Sequence, residues 1–60
     1  MDAENLIEGN VYWAWWIEKY LVYETFNPAF KYGYRFCQLN EEVVFYLSDP
    51  QVKMLQEVDD

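Results

Sequence analysis

The sequence predicts a small α+β domain in which a three-stranded, mainly antiparallel sheet packs against one short C-terminal helix. Three observations predict this fold. Residues 11–26 hold all three tryptophans among β-prone neighbours, residues 30–39 alternate aromatic with other side chains, and the Ser-Asp-Pro sequence at 48–50 is typical of a helix start. Because a chain of 60 residues forms one domain at most, 1–60 is expected to be a single small domain.

The first predicted strand covers 11–26. As an extended chain, one of its faces is almost wholly apolar and the other carries the carboxylates of Glu18 and Glu24. As a helix, the segment would be apolar all round and would need burial on every side, which a domain of this size cannot readily provide. We therefore favour a strand. It is much longer than the usual strand of about 5–6 residues, so we expect a bulge or bend near Glu18 and Lys19.

The second predicted strand covers 30–39 and follows a turn signalled by Asn27 and Pro28. Its alternation places four rings on one face: Phe30, Tyr32, Tyr34 and Phe36. Cys37 falls on the opposite face. Gly33 indicates either a bulge or a point where a large neighbouring ring lies over the backbone.

The third predicted strand covers 42–47, where two β-branched valines favour an extended chain, although Asn40 could instead cap a helix over 41–47. The predicted helix covers 50–58, with an apolar stripe of Val52, Leu55 and Val58. The alternative fold is a small all-α bundle with helices near 11–24, 41–47 and 50–58.

One short helix can cover only one face of a three-stranded sheet. The other face is therefore expected to keep exposed aromatic rings and to form a homodimer or heteromeric interface. A chain this small, whose single cysteine excludes an internal disulfide, gains stability chiefly from dense aromatic packing, self-association or a bound partner.

The charge balance indicates the kind of partner. Eleven acids against four bases give a net charge of −7, which repels nucleic acid and anionic lipid and attracts basic surfaces. We therefore expect a protein partner with a basic surface, and neither direct nucleic-acid binding nor a membrane partner. The same charge could serve only to keep an aromatic-rich chain soluble. An acidic N-terminus, a lone thiol and short apolar runs favour a cytoplasmic protein.

The residues that usually carry catalysis are missing or badly placed. The chain has no histidine, which excludes Ser-His and Cys-His nucleophiles as well as Cys/His zinc sites. Side chains of the adjacent Glu41 and Glu42 would diverge on a strand, and Glu18 and Glu24 would lie about 20 Å apart along an extended chain. We find no phosphate-binding loop, and we predict no enzyme activity, no cofactor and no metal.

The function we predict is that of a small acidic protein-binding module that inhibits or modulates a larger protein. In its sharper form the carboxylates mimic DNA phosphates in the basic groove of a nucleic-acid enzyme, as compact phage-type inhibitors do. The predicted contacts comprise five carboxylates and two apolar anchors: Glu18, Glu24, Glu41, Glu42, Asp49, Trp16 and Tyr20. The alternatives are a structural or accessory subunit of an oligomer, and a carbohydrate or small-ligand binder using exposed Trp and Tyr.

Overall fold

A computed structural model describes residues 1–58 and shows one antiparallel sheet of five strands with one short helix. The chain forms a 3-10 helix (Ala3–Asn5), β1 (Val11–Ala14), β2 (Lys19–Phe26), β3 (Tyr34–Gln38), β4 (Val44–Leu47), α1 (Asp49–Met54) and β5 (Gln56–Glu57). The strands lie in the order β4-β3-β2-β1-β5. The expectation of an antiparallel sheet with one short helix is confirmed, the all-α alternative is wrong, and the predicted number of strands is too small.

The segment predicted as one strand over 11–26 is a hairpin. The bend expected near Glu18 is a complete reversal, in which the Ile17 and Glu18 N–H groups donate to the carbonyls of Ala14 and Trp15, each at 3.3 Å. Glu18 adopts a left-handed backbone conformation with φ of 52°. A hairpin lets two adjacent strands bury one face together, which a single strand of this length could not do in so small a domain.

The hairpin also changes which side chains are buried. Tyr12 faces Leu21 across β1 and β2, so even-numbered residues of β1 share a face with odd-numbered residues of β2. Tyr12 and Ala14 are consequently buried together with Leu21. The two continuous faces predicted for an uninterrupted strand are therefore wrong.

The other two predicted strands are shorter than expected. The strand predicted over 30–39 begins only at Tyr34, so Phe30 and Tyr32 lie exposed in the preceding loop rather than in the sheet. The strand predicted over 42–47 is β4, which begins at Val44 after a turn in which Asn40 has a φ of 62°. Asparagine tolerates this left-handed conformation, which explains why the chain reverses there.

Gly33 marks a close approach of backbone to backbone, because the three atoms nearest to a β-carbon built there all belong to the main chain. The N–H of Asn27 donates to the carbonyl of Gly33 at 2.9 Å and closes the loop between β2 and β3. A β-carbon at Gly33 would overlap the carbonyl oxygen of Asn27 and lie 3.0 Å from that of Phe30. The absence of a side chain therefore allows the loop to close.

The helix begins at Asp49, one residue before the predicted start, and ends earlier than predicted. Ser48 precedes it, and the Ser48 N–H donates to Oε1 of Gln51 at 2.9 Å, as in a capping box. The predicted range 50–58 is wrong at its C-terminal end, because Leu55 is extended and β5 pairs with β1. Burial of Leu55 in the core and backbone hydrogen bonds to the otherwise open edge of β1 favour the extended chain over further helical turns.

We call the face of the sheet that carries the core the inner face, and the opposite one the outer face. The core comprises eight buried apolar side chains: Tyr12, Ala14, Leu21, Tyr34, Phe36, Leu47, Val52 and Leu55. The helix contributes Val52, and the N-terminal segment closes the same side, since the amino group of Met1 donates to the carbonyl of Lys53 at 2.8 Å. The structure therefore covers one face of the sheet, as expected for a single short helix.

Stability should fall at alkaline pH because of a buried phenol. Burial, with the neighbouring carboxylate of Asp49, raises the pKa of Tyr34 to about 12. An unfolded tyrosine titrates near pH 10, so the stabilisation from the neutral phenol is complete below about pH 10 and is lost as the pH rises through the folded pKa. We expect Tyr34→Phe to lose less stability than the native chain between pH 9 and 12, measured by urea unfolding. Tyr46→Phe, at an exposed phenol, is the control, and identical pH profiles for Tyr34→Phe and the native chain would contradict this expectation.

Candidate interaction surface

The outer face carries a row of apolar side chains that crosses four strands. Cross-strand pairing places Val11 beside Val22, Val22 beside Cys37, and Cys37 beside Val44. These side chains are half-buried or exposed, whereas their neighbours on the inner face lie in the core. The centre of the outer face is thus apolar and open to contact.

Two aromatic groups flank this row. Trp13 pairs with Tyr20 on one side, with ring centroids 4.6 Å apart, and Tyr20 is 47% exposed. On the other side Tyr46 pairs with Arg35 and is 56% exposed. Contiguous exposed apolar surface rimmed by polar groups is characteristic of interaction sites. We define the outer patch as the row and its flanking rings: Val11, Trp13, Tyr20, Val22, Cys37, Val44 and Tyr46.

Three of the five predicted carboxylate contacts lie at one end of the sheet. Glu18 directly precedes β2, and Glu41 and Glu42 lie in the turn between β3 and β4. The two turns are neighbours, because the Leu39 N–H donates to the carbonyl of Tyr20 at 2.9 Å. All three glutamates are exposed. We call this group the acidic end; it adjoins Tyr20 at the margin of the outer patch.

The left-handed backbone of Glu18 is a further feature of the acidic end. This conformation is unfavourable for a residue with a β-carbon and typically costs about 1–2 kcal/mol. Asn40, in the neighbouring turn, has the same left-handed backbone conformation, which asparagine tolerates. A glutamate in a position suited to glycine or asparagine is consistent with a use for its carboxylate.

The other two predicted carboxylates lie at the opposite end. Glu24 forms an ion pair with Arg35, with Oε1 and Nε 2.9 Å apart and both side chains substantially exposed. Asp49 lies in the first turn of α1, beside Tyr34. The five carboxylates thus form two groups, and the charge of Glu24 is balanced within the molecule.

The two predicted anchors, Trp16 and Tyr20, lie on different faces of the sheet. Trp16 packs against the core and meets Trp15 edge to face, with ring centroids 5.8 Å apart. The Nε1 of Trp15 donates to the carbonyl of Met54 at 3.0 Å, which ties the β1–β2 turn to α1. Tyr20 belongs to the outer patch. The pairing of Trp16 with Tyr20 assumed one unbroken strand, and the hairpin separates them.

Sequence reasoning missed Trp13 and Tyr46 as members of the exposed surface. In a single strand over 11–26, Trp13 falls on the almost wholly apolar face, and nothing in the local pattern of β4 distinguishes Tyr46 from a core residue. The decisive signal is the register across the hairpin, which pairs Trp13 with Tyr20. Local alternation carries no information about that register.

Residues 1–58 contain no group of three or more His, Cys, Asp or Glu side chains arranged to hold a metal ion. No helix in this part of the chain is both long and apolar enough to cross a membrane. Comparisons with models of known protein families, with curated proteins and with solved structures found no significant match.

Proposed function

We propose that this protein is a small acidic protein-binding module that inhibits or modulates a larger protein with a basic surface. The observation that carries the proposal is the outer patch lying directly beside the acidic end. Trp and Tyr side chains dominate binding energy at protein interfaces, and Trp13, Tyr20 and Tyr46 supply such rings. An apolar centre with a charged margin is the usual organisation of a protein interface.

The charge of the molecule supports a basic partner. Net charge of −7 on a chain of 60 residues accelerates encounter with a positive surface and disfavours acidic ones. Glu18, Glu41 and Glu42 are exposed, so their charges are available at the margin of the outer patch. The rings would supply the contact energy and the carboxylates the orientation and selectivity.

The sharper form of the proposal is mimicry of DNA in the groove of a nucleic-acid enzyme. Duplex DNA presents one charge for about every 1.7 Å of its axis, so a mimic needs carboxylates distributed along a surface. Glu18, just before β2, and Glu24, within β2, lie about 20 Å apart along the chain, and Glu41 and Glu42 add charge at one end. This distribution supports an extended acidic surface, reduced at Glu24 by the ion pair with Arg35.

A pair of matched charge variants tests the proposal. The double variant Glu41→Gln/Glu42→Gln removes two charges at the acidic end, while Asp2→Asn/Glu4→Gln removes two around the 3-10 helix that contacts α1. Affinity should fall about tenfold for the first variant, equivalent to about 1.4 kcal/mol, and little for the second. The partner is first isolated on immobilised protein with a salt gradient, and its affinity for each variant is then measured by calorimetry.

Equal effects of the two double variants would show that only overall charge matters and would contradict the proposed surface. The mimicry form has its own criterion. Binding should weaken steeply with salt, and duplex DNA should compete with this protein for the partner. If the complex persisted unchanged from low to high salt and duplex DNA did not displace this protein, mimicry would be rejected. The proposal of an apolar interface would stand.

A further inference from the structure

The strand β4 forms one edge of the sheet. It pairs with β3 alone among the strands of residues 1–58, and the opposite edge is closed by the two-residue strand β5. An edge strand presents unpaired N–H and C=O groups, which are a template for another strand. Only some residues of β4 direct these groups toward the open edge.

The hydrogen-bond pattern between β3 and β4 identifies the residues whose backbone groups point outward. The Gln38 N–H donates to the carbonyl of Val43 at 2.8 Å, so Gln38 and Val43 form a hydrogen-bonded pair. Hydrogen-bonded and non-hydrogen-bonded pairs alternate along an antiparallel ladder. Phe45, opposite Phe36, therefore directs its backbone groups toward β3, whereas Val44 and Tyr46 direct theirs toward the open edge.

The residues of β4 themselves do not block this edge. Proteins commonly block exposed edges with an inward-pointing charge, a lysine, a proline or a bulge. The sequence of β4 is Val-Phe-Tyr-Leu, and its pairing with β3 is regular over all four residues. Val44 and Tyr46 are 38% and 56% exposed, so their side chains and backbone groups are accessible together.

A groove of exposed rings lies beside the same edge. It is lined by Phe30, Lys31, Tyr32 and Tyr46, and most of its surface is apolar. The ammonium group of Lys31 lies 5.8 Å from the centroid of the Tyr32 ring. A strand added to β4 would therefore find a site for an apolar side chain as well as backbone partners.

Charges at the ends of β4 indicate what kind of strand fits. Glu42 lies two residues before β4 and Asp49 two residues after it. Because Val44 and Tyr46 direct their backbone groups outward, two antiparallel copies would pair with Val44 of each opposite Tyr46 of the other, and Glu41, beside Glu42, would then face Asp49 of the other copy. Like charges placed directly opposite destabilise strand pairing. The same positions attract a strand that carries basic residues at both ends.

We infer that β4 binds an extended segment of a partner protein by adding it as a sixth strand, and that the segment has a short β-prone centre flanked by Lys or Arg. The inference rests on the proposed function, because it specifies how a basic partner is engaged. Backbone hydrogen bonds from Val44 and Tyr46 would provide affinity, the ring groove would accept a side chain, and Glu42 and Asp49 would select the basic flanks.

The test uses a synthetic peptide, Lys-Lys-Thr-Val-Thr-Val-Lys-Lys, and the full chain. We expect binding to shift the backbone amide resonances of Val44 and Tyr46. Val44→Pro removes one outward N–H without removing a hydrogen bond to β3, and we expect it to weaken binding about tenfold. Val44→Thr keeps the N–H and the branched shape, and should weaken binding less than Val44→Pro does.

A second control changes the peptide instead of the protein. N-methylation of both valines removes their two N–H donors, which point toward β4 when the valines lie opposite Val44 and Tyr46, and should abolish binding even if Val44→Pro fails to fold. Equal binding of the methylated peptide, or no binding of the parent peptide, would overturn the strand-addition model. Formation of a dimer that Val44→Pro abolishes and the peptide cannot displace would overturn it in favour of a second copy.

The outcomes also separate this inference from the proposed function. Binding that survives Val44→Pro and N-methylation but falls with Glu41→Gln/Glu42→Gln would reject strand addition while retaining the acidic surface. A second outcome would retain the strand site and reject recognition by charge. In that case binding falls with Val44→Pro, but neither Glu41→Gln/Glu42→Gln nor replacement of the four peptide lysines by glutamate changes it.

Discussion

Replacing Phe36 with alanine is expected to unfold most of the protein at room temperature. Phe36 is fully buried in the central part of the sheet, between the rings of Tyr12 and Tyr23 at centroid distances of 6.5 and 5.3 Å. Truncation of a buried phenylalanine typically costs about 3–5 kcal/mol. A domain of this length without disulfides rarely has more than about 3–5 kcal/mol of stability to lose.

The measurement is urea unfolding followed by tryptophan fluorescence, compared between Phe36→Ala and Phe36→Leu. The leucine variant retains most of the apolar volume and should remain folded, with a smaller loss. Tyr46→Ala, on the adjacent strand but the outer face, serves as an exposed control and should change stability little. A folded Phe36→Ala with a native midpoint would show that the core does not depend on this ring.

Replacing Gly33 with alanine is the second change with a large expected effect. The added β-carbon would collide with the carbonyl oxygen of Asn27. This oxygen cannot move aside freely, because the N–H of Asn27 is hydrogen-bonded to the carbonyl of Gly33 and closes the loop. Relief requires the loop between β2 and β3 to open, at a cost of about 2–3 kcal/mol, in the range of overpacked cores. The free energy of unfolding of Gly33→Ala, obtained from urea titration, should fall accordingly.

Gly9→Ala provides a comparison that separates collision from backbone strain. Gly9 has a φ of 86°, and a β-carbon there would meet no atom within 4 Å. We expect only the cost of a left-handed backbone, about 1 kcal/mol. If Gly33→Ala were no more destabilising than Gly9→Ala, the close approach of Asn27 to Gly33 would not limit the packing of this loop.

The candidate surface could be predicted in part. Net charge and the wealth of Trp and Tyr indicated an acidic, aromatic interface, and Tyr20, Glu18, Glu41 and Glu42 lie where such an interface can form. Composition could not show that these glutamates meet at one end of the sheet, because Glu18 lies in one turn and Glu41 and Glu42 in another. Sequence separation does not reveal that the two turns are neighbours. Only the pairing of β2 with β3 brings the two turns together.

By itself, the sequence determined the features that depend on local stereochemistry: β-prone segments, the capped start of α1 and the turn tolerance of Asn40. It also determined the large negative charge. Tertiary structure decided the features that depend on which segments pair and in which register. The reversal after Ala14 set the register that buries Tyr12 and places Trp13 half-buried on the outer face, and the open edge of β1 took up β5 instead of a longer helix. Local propensity cannot decide such choices, because their energy comes from hydrogen bonds and burial between segments that pair only in the folded chain.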